Sequence, residues 1–287
     1  MMDALIGGIA NGAVYSMLAV GFVLIYASTG IANFAQGSLS MGGAFIGFVA
    51  ATRWGFPVWA AALAGIAASV ILSYLMFTIG LRPLNKTDHL FKGIATLAID
   101  IILVNVARMI FGPTENTVPS PLSGSIALGG LSLPASYAAV FIAAIATAVL
   151  LQIFLKYTLL GTAIRSVTQN PEAAALMGVN LPAISTLSWV IAGIIAGLAG
   201  ILLSPITNVA YNMMDPYLVR MFAAASLGGL SSIWGAVIGG LILGALEGVL
   251  GTGLPASSID VVSVIVLMGV LIFRPQGLFG VVRVRRI

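Results

Sequence analysis

The sequence predicts an all-α polytopic membrane protein. Of its 287 residues, 60% are hydrophobic and only 7% are charged, whereas soluble domains carry about 25% charged residues. The 49 positions from residue 4 to residue 52 include no charged side chain, and one helical crossing needs about 20 apolar residues. The chain also has 34 glycines, which let helix backbones approach closely in a membrane. We expect a single transmembrane domain over residues 1–287 with about eight membrane helices.

Apolar runs separated by polar or proline-rich breaks predict where these helices lie. Residues 217–254 are too long for one crossing and too short for two full ones, so a half-helix or re-entrant segment is expected at 219–230. The full spans are expected at residues 4–27, 34–52, 58–81, 93–111, 135–155, 183–204, 234–249 and 259–273. For the glycine-rich second span, a discontinuous helix is the alternative.

Basic residues indicate which ends of the spans face the cytoplasm. Nine of the twelve Lys and Arg residues lie in three segments: residues 82–92, the loop at 156–182 and the tail at 274–287. Residues 112–134 contain four prolines and no basic residue, as expected of an external loop. The N-terminus has no basic region of the kind that precedes a cleaved signal peptide, so the first helix is expected to remain and to begin outside.

The loop at 156–182 has the local signals of a short helix at residues 171–177. Asn170 is suited to cap it, Pro171 to occupy its first position, Glu172 to favour its positive end and Gly178 to end it. Such a short helix needs a partner surface. Two interpretations stay open: an ordinary connecting loop, or a docking helix for a soluble subunit whose apolar contacts come from Ala173, Ala174, Leu176 and Met177.

Two stretches of the sequence are similar to each other. Residues 34–48 and 222–240 share an FA-x-x-SL start and a glycine-rich continuation, and both lie beside an expected helix break. Paired interrupted segments are typical of inverted repeats around a translocation path, although Gly, Ala and Ser are common enough here for a match by composition. The expected path residues are Asn33, Gln36, Gly37, Ser38, Ser226, Gly228 and Gly229.

Several kinds of chemistry are excluded or disfavoured. No Gly-x-x-x-x-Gly-Lys motif cradles a nucleotide phosphate, so any ATP must be used by another chain. With one histidine and no cysteine, we expect no catalytic residues, no metal site and no cofactor, and a net charge of +4 is too sparse for nucleic acid. Asp100 and Glu247 could form a proton relay, but Arg108 lies two turns after Asp100, so structural pairing is the competing interpretation.

Three motifs resemble the inner-membrane permeases of branched-chain amino acid ABC transporters, of the LivH type. They are GIANFAQG at 30–37, the loop with GTAIR at 161–165, NPEAA at 170–174 and GVN at 178–180, and FRPQGLFG at 273–280. The sequence departs from the family at Gln36, where histidine is usual, at Ser38, where an acidic residue is common, and at Ser166, where alanine is usual.

The resemblance implies a non-enzymatic, multi-pass subunit of the bacterial inner membrane, surrounded by lipid. It would pair with a second homologous permease, two ATP-binding subunits and a soluble solute-binding protein, and carry branched-chain or other small apolar amino acids inward. The loop residues implied to couple to the ATPase are Gly161, Arg165, Asn170, Pro171, Glu172, Ala173, Ala174 and Gly178. Related permeases carry urea, short amides or nucleosides, and a proton-coupled secondary transporter using Asp100 and Glu247 is the alternative of a different class.

Overall fold

The computed structural model describes residues 2–84, 87–118, 124–128, 131–253 and 255–280. Within these ranges the chain forms a helical bundle with one small hairpin. The elements are α1 Met2–Thr29, α2 Gln36–Thr52, α3 Val58–Leu75, α4 His89–Phe111, β1 Ser125–Leu128, β2 Leu131–Pro134, α5 Ala135–Tyr157, α6 Leu159–Gln169, α7 Pro171–Leu176, α8 Leu181–Thr207, α9 Asp215–Gly228, α10 Ile233–Leu250 and α11 Ala256–Phe273.

The predicted membrane helices are confirmed. Six helices in the described part of the chain are long and apolar enough to cross a bilayer, namely α1, α3, α4, α5, α8 and α10. The apolar part of α11 is shorter, at Ser258–Phe273, and α2 has 17 residues, most of which are buried inside the bundle. These two bring the total to eight, as the sequence predicts, and the 14-residue α9 occupies the place of the expected half-helix.

Helix α1 is the centre of the bundle. It packs along α10 and also contacts α5, α8 and α9. The contact with α10 runs along glycines of both helices: a Cβ atom on Gly12 would lie 2.6 Å from the carbonyl oxygen of Gly240, and Gly8 faces Gly244 and Gly248. Small residues therefore set the separation of these two helices.

A second tight contact joins α2, α3 and α8. Gly43 and Gly65 bring α2 and α3 together, and Gly200 of α8 lies against the backbone of Ser40. Polar side chains join the same helices: the Ser69 hydroxyl donates to the carbonyl of Leu39 at 2.8 Å, and the Ser73 hydroxyl donates to the carbonyl of Trp189 at 2.7 Å. Hydrogen bonds of this kind satisfy polar groups where water is absent.

The two similar stretches of sequence, residues 34–48 and 222–240, occupy different structural elements. Residues 34–48 begin α2, which is continuous rather than discontinuous, whereas residues 222–240 span the end of α9, a turn and the start of α10. An inverted repeat therefore stays a prediction.

The connections at the two ends of the bundle have local structure in the described residues. At the end opposite the basic loops, β1 and β2 form an antiparallel hairpin, and Asn116 pairs with Val209 by a backbone bridge. At the end that carries the basic loops, α3 continues through one π-helical segment at Met76–Leu81. The segment after α11 returns to the bundle, where the backbone N–H of Leu278 donates to Leu227 and that of Phe279 to Gly228.

Candidate functional site

The short helix α7 forms as its local sequence predicts. The Asn170 side-chain oxygen accepts from the backbone N–H of Ala173 at 3.0 Å, and Pro171 is the first helical residue. Gly178 follows the helix with φ +86°, a conformation that favours glycine. One helical turn is thus fixed at both ends by the residues that flank it.

The packing of α7 differs from the prediction at Ala174. This residue is only 5% exposed and belongs to the core cluster of the chain itself, together with Ile164, Val167 and Ile184. Leu176 and Met177 are 89% and 85% exposed. Ala174 therefore seats α7 on its own bundle, and the surface left for another protein is formed by the two larger side chains.

Helix α6 connects α7 to the membrane helices. The Thr158 side chain caps it by accepting from the N–H of Gly161 at 2.9 Å, and Gly161 lies against the backbone of Phe154 and Leu155. Gly161 is therefore a packing residue. Arg165 is exposed, and one of its amino groups lies 3.3 Å from the hydroxyl of Thr162 and 3.5 Å from the carbonyl of Lys156.

Two of the expected path residues are part of a closed amide network. The side-chain amide of Asn33 donates to the side-chain oxygen of Gln36 at 3.0 Å, and the amide of Gln36 lies 3.3 Å from the carbonyl of Ala192. Both side chains are 0% exposed. Asn33 and Gln36 therefore join α2 to α8 and present no surface to a solute in this conformation.

Gly37 and Ser38 lie beside a small cavity of about 30 Å³ between α2, α4 and the start of α9. Asp100 and Asp215 line the same cavity. The stretch at residues 34–48 therefore contributes Gly37 and Ser38 to a polar site between helices. The volume of this cavity holds little more than one water molecule.

Ser226, Gly228 and Gly229 are covered. Gly228 packs against Gly235 of α10, and Gly229, with φ +104°, packs against Gln276 and Gly280 of the tail. The two groups of expected path residues are not brought together, because the second group is buried by α10 and the tail. This packing also gives the FRPQGLFG motif a structural role.

A polar network inside the bundle was not predicted from the sequence. The guanidinium Nε of Arg220 lies 2.9 Å and 3.1 Å from the two carboxylate oxygens of Glu247, and an Arg220 amino group donates to Asp260 at 2.7 Å. Tyr15 donates to the same Glu247 carboxylate at 2.7 Å, and Ser263 donates to its other oxygen. Since Arg220 and Glu247 are 27 residues apart, only the rarity of charges in apolar spans could have signalled the pair.

This network decides between the two interpretations of Glu247. Its carboxylate accepts from three side chains on α1, α9 and α11, so it has the satisfied surroundings of a structural ion pair. The pairing expected between Asp100 and Arg108 is wrong: the Arg108 guanidinium instead lies over the ring of Tyr211, 5.3 Å from its centroid.

Cavities open at both ends of the bundle. A polar cavity of about 370 Å³ at the end opposite the basic loops includes Asn11, Glu115 and Arg220. Clefts of about 810 Å³ and 550 Å³ lie on the side that carries the basic loops. An aromatic cluster of Phe22, Phe34 and Phe222 packs α1, α9 and the loop before α2 together, with ring centroids 4.5 Å and 4.7 Å apart.

The chain is similar to permeases of known transport systems. It is 29% identical to the high-affinity branched-chain amino acid transport system permease protein LivH of Escherichia coli K12, covering 97% of this chain and 95% of that one. It is 30% identical to BraD of Pseudomonas aeruginosa, with the same coverage. The PsaBC structure from Streptococcus pneumoniae matches 96% of this chain with a TM-score of 0.52 and 16% identity, a likeness of fold alone.

The family model described as the branched-chain amino acid transport system permease component matches residues 4–273. A subunit of this family is embedded in the membrane, works with an ATPase and a binding protein, and is a transport permease rather than an enzyme. The chain therefore belongs to the permease components of branched-chain amino acid transport systems and is the multi-pass inner-membrane subunit of an ABC importer.

Proposed function

We propose that the chain carries branched-chain or other small apolar amino acids inward and receives the force of ATP hydrolysis through α7. The coupling assignment rests on the difference in solvent exposure between the residues of this helix and its C-terminal end. Ala174 is buried in the chain, whereas Leu176 and Met177 are almost fully exposed on the cytoplasmic side. A helix held firmly by its own bundle, with two large apolar side chains directed outward, is suited to transmit motion between a soluble subunit and the membrane helices.

The rigid attachment supports this role. Asn170 and Gly178 fix the two ends of α7, and the bond from the Val179 N–H to the Ala174 carbonyl, at 3.0 Å, continues the chain directly towards α8. A displacement of Leu176 would therefore be transmitted to α8 without an intervening flexible loop. Glu172 is also exposed and would contribute a polar contact at the edge of the same surface.

The second permease would pack against α4. Most of this helix is exposed, including Asn105 and Arg108 near its middle and outer end. Polar groups at membrane depth usually face protein or a water-filled cavity rather than lipid. A homologous permease on α4 would cover these side chains, and Ser38 and Asp100 would then lie beside the interface between the two permeases.

The substrate proposal rests on the relatives, whose names specify branched-chain amino acids. The test is uptake by vesicles that contain the complete importer and its binding protein, with ATP supplied inside. We expect radiolabelled leucine to accumulate and excess valine or isoleucine to compete, with no competition from urea or adenosine. Competition by urea or adenosine alone would overturn the substrate class.

The same vesicles test the source of energy. Collapse of the proton gradient with a protonophore, while ATP is kept constant, is expected to leave leucine uptake unchanged, because Glu247 is held by Arg220 and is not available as a proton carrier. Loss of uptake under this condition would contradict the proposal.

A further inference from the structure

The cleft of about 810 Å³ on the cytoplasmic side has a defined chemical character. We define it as the basic cleft. It lies between the last turns of α1 and α5, the inner face of α6 and the first turn of α10. Its floor includes Leu24, Leu155 and Ile164, and its rim includes Lys156, Arg165 and Trp234. Its volume is in the range of sites that bind small molecules.

Among the described residues the two cations at the rim have no carboxylate partner, since the ion pairs there are those of Arg220 with Glu247 and Asp260. The Lys156 ammonium lies 5.1 Å from the ring centroid of Tyr157, and Arg165 donates to the Thr162 hydroxyl and to the Lys156 carbonyl. The cleft therefore presents two positive charges above an apolar floor.

The residues around the basic cleft place it at the level of the membrane surface. Lys156 is in the last turn of α5, and Trp234 is the second residue of α10 and is 41% exposed. Trp and Lys at helix ends are typical of the level of the lipid headgroups. Leu159 and Leu160, at the start of α6, are 90% and 51% exposed, which is consistent with contact with acyl chains on this side.

We propose that the basic cleft binds an anionic phospholipid of the cytoplasmic leaflet. The phosphate would lie between Lys156 and Arg165, and part of an acyl chain would cover the floor at Leu24 and Leu155. Pairs of cations between membrane helices on the cytoplasmic side attract anionic headgroups.

Two other occupants fit less well. The tail of this chain carries Arg283, Arg285 and Arg286, so its charge repels the rim of the cleft. The ATPase is proposed to meet α7, and no α7 residue lines the basic cleft. A phospholipid matches the charge of the rim, the apolar floor and the level in the membrane together.

The test uses the intact importer, purified and placed in nanodiscs that contain phosphatidylcholine with a small fraction of phosphatidylglycerol. Phospholipid that stays bound after gentle transfer to detergent is identified by native mass spectrometry. We expect phosphatidylglycerol to be retained preferentially. Lys156→Gln and Arg165→Gln should each weaken its retention about fivefold, whereas Arg274→Gln, which removes an exposed charge at the end of α11, should leave it unchanged.

Both substituted side chains are exposed in the permease, so the variants should fold and reach the membrane. Lys156→Arg keeps the charge and should retain phosphatidylglycerol, which separates loss of charge from a general disturbance of α5. Equal retention by the wild type and the Lys156→Gln, Arg165→Gln double variant would overturn the proposal. Binding of phosphatidylglycerol only after the ATPase subunits have dissociated would also overturn it, because a protein would then occupy the basic cleft.

Discussion

Arg220 of α9 and Glu247 of α10 form an ion pair in which the guanidinium Nε lies 2.9 Å from one carboxylate oxygen and 3.1 Å from the other, and the two side chains are 12% and 7% exposed. The same carboxylate accepts from Tyr15 of α1 and Ser263 of α11. One acidic side chain thus joins four helices, including the short α9.

Removal of one partner should therefore destabilise the bundle. Glu247→Ala removes the buried carboxylate that pairs with Arg220 and accepts from Tyr15 and Ser263, and loss of one partner of a buried ion pair costs about 3 kcal/mol or more. We expect a marked fall in the midpoint of thermal unfolding of the purified importer. The double variant Arg220→Met, Glu247→Leu should recover most of this loss, because the carboxylate that then lacks its partner, Asp260, has a side chain that is 71% exposed. An unchanged midpoint in Glu247→Ala would show that the network contributes little.

The glycine contact between α1 and α10 gives a second prediction. Gly12→Ala would place a methyl group 2.6 Å from the Gly240 carbonyl oxygen and 3.0 Å from the Cα of Leu241, so the helices must separate. Overpacking of this kind typically costs about 1–3 kcal/mol, and the thermal midpoint should fall. Gly269→Ala in α11 is the matched control, since no atom lies within 4 Å of the added carbon. Equal midpoints for both variants would contradict the close α1–α10 contact.

The orientation of the chain can be tested cleanly because it has no native cysteine. Single cysteines at Thr87 and Gln169, both exposed on the basic side, should react only with reagents that reach the cytoplasm. A cysteine at Thr114, exposed after α4, should react with an impermeant maleimide added outside intact cells. Outside labelling of position 169 would reverse the assigned topology. Ser120, in the middle of the same expected external loop, is a further labelling position and lies outside the described residues.

The sequence predicts those features whose causes are local. Asn170, Pro171 and Gly178 are sufficient to place α7, because capping and a left-handed stop act within one helical turn. The spans follow from runs of apolar residues that are set by the thickness of the bilayer. The exposure of Ala174 depends on how α7 sits against α6 and α8, and a six-residue helix has too few positions to show this as a periodic pattern.

The expected translocation path was less predictable for a related reason. Small and polar residues in membrane helices can line a path or allow close packing, and the sequence pattern is the same for both. Gln36 proved to be an internal hydrogen-bonding residue, and Gly228 and Gly229 are contact points for α10 and the tail. Only Gly37 and Ser38 lie beside a cavity, which is shared with Asp100. The Arg220–Glu247 pair required the three-dimensional arrangement of α9 and α10.

The central claim is that α7 couples the ATPase to the membrane helices through Leu176 and Met177. The most direct measurement is the yield of ATPase subunits that co-purify with the tagged permease from the membrane. Leu176→Glu and Met177→Glu would each bring a carboxylate into an apolar contact, while the conservative Leu176→Met and Met177→Leu keep the surface apolar. Since both side chains are exposed in the permease alone, membrane accumulation should be normal for all four variants.

An unpaired buried charge of this kind costs several kcal/mol, which corresponds to a loss in association constant of about a hundredfold or more. We therefore predict that the two Glu variants lose co-purifying ATPase and leucine uptake together, and that the conservative variants keep both. Wild-type yields of ATPase in both Glu variants would contradict the account.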